Sequence, residues 1–295
     1  MNILSHLKSG AVRSLKSWKV VLVIWVLILF LISLLALPVK SGFKNLIGSS
    51  MVTELLTESI NADVITDISK GLSSLIPAIT SGFFLVLLFG FLMNVFLTGG
   101  LFAILGNKNN NHSVAAFFKG GASNFLPVLI ITFLTSLMVL FAASIVGGIP
   151  VAIVSASGSG SPAPGAMGKV IRIALIIVAL VLPLLILVAD YARAWQVVHE
   201  EKKPFKAIGF GFSTTFKTLS LSYPLMLFMM LVQSGFSVFV MSKLLASKPL
   251  TGGGVFLLFI VSQLLFVIKI LLRAWRYGCV TSIMEEKTLR LSPDA

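Results

Sequence analysis

The chain has 295 residues, 57% of them hydrophobic and only 11% charged, which leaves too little polar surface to cover a globule in water. Its formal net charge of +13 accords with basic residues flanking membrane spans, and nucleic acid is set aside as a partner because no base-reading or stacking module accompanies the charge. A single cysteine, Cys279, excludes an intrachain disulfide framework.

Residues 1–19 read as a basic amphipathic segment. Ile3, Leu4, Leu7, Ala11, Leu15 and Trp18 recur every three or four positions, with Lys8, Arg13, Lys16 and Lys19 largely between them. The run 20–39 carries no charge until its end is passed and exceeds the apolar stretch of a cleavable leader. Residues 40–82 read as an extracytoplasmic loop that is helical, since Met51, Leu55, Val64, Ile68 and Leu72 keep a helical period, with Asn61 as a cap for a second helix. Its apolar stripe either packs across the outer ends of the spans or forms a partner-binding face.

Further spans are predicted over 83–105, 128–154, 173–189, 219–246 and 255–272. Gly147-Gly148-Ile149-Pro150 is expected to end or kink the third, and 155–165, rich in Ser, Gly, Pro and Ala, reads as a flexible outer connection. Lys and Arg concentrate in the segments before the odd spans and after the even ones, which predicts cytoplasmic termini. The expectation is an all-α polytopic bundle of about six transmembrane helices in a bacterial cytoplasmic (inner) membrane.

An internal repeat is also legible. Ser113–Phe125 and Pro204–Phe216 each precede a span, and Gly10, Gly120 and Gly211 each stand five residues before Leu15, Phe125 and Phe216. Two even spans exit alike: Arg193-Ala194-Trp195 and Glu200-Glu201-Lys202 recur as Arg273-Ala274-Trp275 and Glu285-Glu286-Lys287. These matches predict three parallel-repeat hairpins, each launched by an interfacial cytoplasmic helix.

Chemistry-bearing residues are few. His6, His112 and His199 lack Cys or carboxylate companions at metal spacing, no phosphate-cradling glycine loop occurs, and no nucleophile constellation can be assembled, so no catalytic, metal or cofactor residue is assigned. Asp190 is the carboxylate set against a span. It reads as the structural partner of Arg193, Lys269 or Arg273, as an interfacial charge, or as a coupling carboxylate. Asn94, Gln233 and Gln263 lie inside spans as interhelical hydrogen-bonding groups or as the lining of a polar cavity.

The six spans, the Phe-rich, Gly-containing segments before the odd spans and the Asp-Tyr-Ala-Arg-Ala-Trp exit at 190–195 resemble the membrane domain of certain glycerophosphodiester phosphodiesterases. They are similar also to stand-alone bacterial membrane proteins related to it. The catalytic metal-binding barrel has no counterpart in this chain, so the resemblance implies only a membrane module. The expected function is therefore a non-catalytic module that binds or organises membrane lipids, anionic on the cytoplasmic side, or a membrane-protein partner or second copy. A transporter with a polar cavity between repeats is the alternative, and a lipid-modifying membrane enzyme the third.

Overall fold

A computed structural model of the chain describes residues 3–47, 62–106, 112–148, 152, 166–199, 202–247 and 252–291. Helix is the only regular structure among them: α1 (Ile3–Lys16), α2 (Trp18–Ile47), α3 (Ala62–Leu105), α4 (Val114–Ser123), α5 (Phe125–Ala143, continued by a π-turn over Ser144–Gly148), α6 (Ala166–His199), α7 (Pro204–Lys217), α8 (Leu219–Ala246) and α9 (Gly252–Leu291). Five of these carry stretches long and apolar enough to cross a membrane, and a sixth arises if α1 and the start of α2, bent by 65°, count as one broken span. Large apolar side chains such as Phe141, Leu175, Leu231 and Leu257 stand more than half exposed on these helices, as lipid-facing residues must. The protein is thus a multi-pass helical membrane protein.

Helix boundaries depart from the sequence reading in instructive ways. Nothing interrupts α3 between Ala62 and Leu105, so the second half of the segment read as a separate extracytoplasmic helix is the first part of the second span's own helix. At 44 residues it is more than twice the ~20 that a bilayer core requires. Met51–Ile60 and the Asn61 cap lie outside the described residues, as do Ile149, Pro150 and the connection at 155–165. Gly147 and Gly148 fall in the π-turn that follows α5. Helix α9 continues well past 272 to Leu291, because its polar extension has a partner to pack on.

The chain divides into two compact units, Val23–Asn94 and the remainder. In the first, the described side chains are predominantly outward-facing and apolar, Phe30, Ile32, Phe84, Leu85 and Leu88 among them. The second holds the rest of the spans and the short helices α1, α4 and α7.

Each short helix ends at one polar residue whose side chain bonds the carbonyl four positions back. Ser17 Oγ donates to the Arg13 carbonyl at 2.9 Å, Asn124 Nδ2 to Gly120 at 3.0 Å and Thr218 Oγ1 to Thr214 at 2.8 Å. Such back-bonding competes with the regular ladder and bends the helix. The same residues' carbonyls then accept the first bonds of α2, α5 and α8, from Val21, Val128 and Ser222. One residue thereby closes a helix and opens the next.

Glycine sets how closely the short helices approach their neighbours. A Cβ on Gly10 of α1 would lie 2.7 Å from the backbone nitrogen of Cys279 on α9, and one on Gly211 of α7 would lie 2.5 Å from the Val188 carbonyl oxygen of α6. Both glycines stand seven residues before their break residue. In α4 that position is Phe117, fully buried, and the missing side chain has moved to the partner: a Cβ on Gly100 of α3 would lie 2.6 Å from the Phe117 ring. The alignment by Gly120 and Phe125 is therefore out of register with the breaks, since Phe125 follows Asn124 whereas Leu15 and Phe216 precede Ser17 and Thr218.

Candidate functional site: a buried arginine cluster around Asp190

Asp190 lies on α6 where the apolar stretch ends, and its side chain is wholly buried. A carboxylate removed from water needs cations and donors around it. Arg193 supplies one from the next turn, Nη1 to Oδ1 at 3.1 Å, and Arg276 of α9 the other, Nε to Oδ2 at 3.2 Å. Of the partners read from the sequence, Arg193 is therefore an observed one. Arg273 donates to Thr98 Oγ1 of α3 at 2.7 Å and to Tyr277 Oη at 2.9 Å, while Lys269 is exposed. Arg276, one turn beyond Arg273, was missed because the repeated Arg-Ala-Trp drew attention to 273; the three-residue helical spacing carried the signal.

Tyr277 organises the cluster. Its buried ring stacks on Phe102 of α3 with centroids 4.5 Å apart, and the guanidiniums of Arg273 and Arg276 lie 5.3 and 5.0 Å from its centroid. Beside it, Tyr191 Oη shares a 2.6 Å hydrogen bond with Ser222 Oγ, which donates in turn to Thr218 Oγ1 at 2.8 Å. Spans α3, α6, α8 and α9 thus all contribute to one polar layer at the end of the bundle that carries the short helices.

The repeated exit motifs dock short helices. Trp275 Nε1 donates to the Leu7 carbonyl of α1 at 2.9 Å, and Trp195 packs on Phe210 of α7 beneath Lys206. Glu285 takes Arg13 of α1 in a bidentate pair at 2.9 and 2.6 Å. Arg13 also donates to the Leu105 carbonyl, 3.0 Å away, capping the last turn of α3. Glu200 and Glu201 lie outside the described residues.

The intramembrane amides are engaged. Gln233 Nε2 donates to the Leu272 carbonyl at 3.0 Å and ties α8 to α9; Gln263 Nε2 lies 3.5 Å from Ser262 Oγ. Asn94 is half-buried on α3, in the smaller unit, and also has a partner. A cleft of about 90 Å³ between α5 and α6 is lined by aliphatic groups such as Val139, Ala142, Val178 and Leu182. Among the described residues no group of His, Cys, Asp or Glu is arranged to hold a metal ion.

His6 carries a pH dependence. It is buried on α1, a helix too short at 14 residues to span a ~20-residue core. Nδ1 lies 3.0 Å from Ser282 Oγ and Nε2 3.1 Å from Glu286. Burial outweighs the attraction of Glu286 and holds the imidazole below its ordinary 6.5. The neutral ring is the folded form, so its contribution is present above pH 6.5 and is lost as pH falls towards the lowered folded value. The thermal midpoint in detergent is expected to drop below pH 6.5, and His6→Gln to flatten that part of the profile.

Comparison with models of protein families, with curated proteins and with solved structures finds no match to the chain.

Proposed function

We propose that the chain is a non-catalytic module of a bacterial inner membrane that binds or organises lipids or a membrane-protein partner. It is of the kind implied by its resemblance to the membrane domain of glycerophosphodiester phosphodiesterases. The observation that carries this reading is the mutual pairing of the polar layer: Asp190 is held by Arg193 and Arg276, Arg13 by Glu285, and Gln233 by a backbone carbonyl. Groups committed to one another rigidify a bundle. A substrate path would instead need polar groups aimed into a cavity reaching midplane.

The proposal includes three parallel units. In its support, α4 packs on α3 and α7 on α6, each on the span preceding it, while α1 packs on α9. That cyclic order is what three equivalent units around one axis along the membrane normal require. Shared break chemistry at Ser17, Asn124 and Thr218 favours the same reading.

Two experiments test it. Native mass spectrometry from mild detergent is expected to find the protein carrying phospholipid, a second copy or another membrane protein; a bare monomer that supports proton-coupled flux in proteoliposomes would put a transporter in its place. The polar layer is proposed to face the cytoplasm. With Cys279 replaced, cysteines introduced at Glu54 and Ser159 should then label in intact cells, and one at Lys202 should label only after permeabilisation. Labelling of Lys202 in intact cells would invert the topology.

A further inference from the structure

The three short helices carry their amphipathic pattern inside out. Towards the spans, α1 buries His6, Gly10 and Ser14, and α7 buries Ala207, Gly211, Thr214 and Thr215. Outward they turn large apolar groups, Leu4 at 78% exposure and Leu15 at 58% on α1, Phe205 at 75% and Phe216 at 65% on α7. On α4, Phe117 is buried with Gly120 and Gly121, and Phe118 faces out. A helix surrounded by water would bury its large apolar groups and expose its polar ones. These outer faces therefore need an apolar neighbour.

Lysine specifies that neighbour. Lys8 and Lys16 of α1, Lys119 of α4 and Lys217 of α7 are exposed beside the apolar groups, and their placement follows one rule. At about 100° per residue, turning in one sense from the centre of each buried stripe meets the apolar side chains after about 130° and the lysines only after about 220°. Leu4 and Leu15 precede Lys8 and Lys16, Phe118 precedes Lys119, and Phe205 and Phe216 precede Lys217. Among the exposed apolar groups, Val12 departs from the rule by standing between Lys8 and Lys16. An apolar flank beside a cationic one, in the same order on all three helices, suits a single surface that is apolar below and anionic above. A leaflet of acidic phospholipid has that profile. Its acyl chains already meet the spans that these helices lead into, where Leu22, Leu126 and Leu219 stand exposed in the opening turns.

We infer that α1, α4 and α7 form a collar that docks on acidic phospholipid, each helix lying with its apolar flank in the acyl boundary and its lysines at the headgroup phosphates. The inference rests on the module reading and deepens it by naming the lipid that is bound.

The test uses the full chain with Cys279 replaced, reconstituted in mixed vesicles of phosphatidylglycerol and phosphatidylcholine and labelled with a fluorophore at one introduced cysteine. Dyes at Leu4 and Phe205 should be quenched by lipids brominated in the acyl chains, and dyes at Lys16 and Lys217 by iodide present on both sides of the membrane. At Leu4, brominated phosphatidylglycerol should quench more than brominated phosphatidylcholine at equal mole fraction. Lys8→Gln with Lys16→Gln should reduce that preference severalfold, since each lysine near an anionic surface is worth about fivefold; Lys8→Arg with Lys16→Arg should keep it. Every substituted side chain is exposed, so folding is retained. Iodide quenching at Leu4 and Phe205 equal to that at Lys16 and Lys217 overturns the collar. Shielding from both quenchers overturns it too, because a protein partner or second copy then covers this face, and the module reading survives. Equal quenching by the two lipids overturns the choice of acidic phospholipid. The module reading fails separately, on proton-coupled flux from the bare monomer.

Discussion

Asp190→Asn is expected to lower the unfolding stability of the unliganded protein in detergent by about 3 kcal/mol, the low end of what breaking a buried ion pair costs. The carboxylate is fully buried and joins two helices through two guanidiniums, at 3.1 Å to Arg193 and 3.2 Å to Arg276. Asparagine keeps one acceptor oxygen but removes the charge that Arg193 and Arg276 both meet. Exchanging the partners, Asp190→Arg with Arg276→Asp, should recover part of the loss, because opposite charges still meet across α6 and α9. The matching exchange with Lys269 should recover none, since that side chain is exposed. Chemical or thermal unfolding of the parent and the three variants in one detergent decides it. A variant as stable as the parent, with no exchange rescuing anything, would sink the ion-pair account and favour a coupling carboxylate, whose signature is pH-dependent flux lost in Asp190→Asn.

Two glycines two residues apart on α7 should respond to alanine in opposite directions. Gly211→Ala places a methyl 2.5 Å from the Val188 carbonyl oxygen and 3.2 Å from the Ala192 backbone nitrogen and Cβ. Backbone cannot rotate away as a flexible side chain can, so α7 must lift from α6, at a cost of about 2 to 3 kcal/mol. Gly209→Ala meets nothing within 4 Å and reduces the freedom of the unfolded chain, for a gain of about 0.5 to 1 kcal/mol. Paired melts of the two variants suffice, and equal effects would show that α7 does not seat against α6 through Gly211.

The apolar spans were legible because a run of that length has few other homes, and the short amphipathic helix α1 because its period is regular. What escaped the sequence was local competition. Ser17, Asn124 and Thr218 are ordinary residues until their side chains are seen to bond the carbonyl four back, and nothing in periodicity marks them as breaks. Gly120 aligns with Gly10 and Gly211 in the sequence, whereas the residue seven before Asn124 is Phe117 on α4, which faces Gly100 on α3. Asp190 and Arg193 were legible from one helical turn. Arg276 required the relative rotation of α6 and α9, which no linear motif contains. Arg-Ala-Trp and Glu-Glu-Lys were recognisable as a pattern, but their use, gripping α1 through Trp275, Glu285 and Glu286, needed contacts across most of the chain.

Arg13 and Glu285 are 272 positions apart, and that separation has a meaning in time. Ribosomes add about 5 to 20 residues per second, so α1 emerges tens of seconds before the helix that receives it. Throughout that interval its apolar face, His6 and Arg13 have no seat, and the headgroup region of the bilayer is the natural place for a basic amphipathic segment to wait. The seam between α1 and α9 can therefore close only after every span between them has been synthesised.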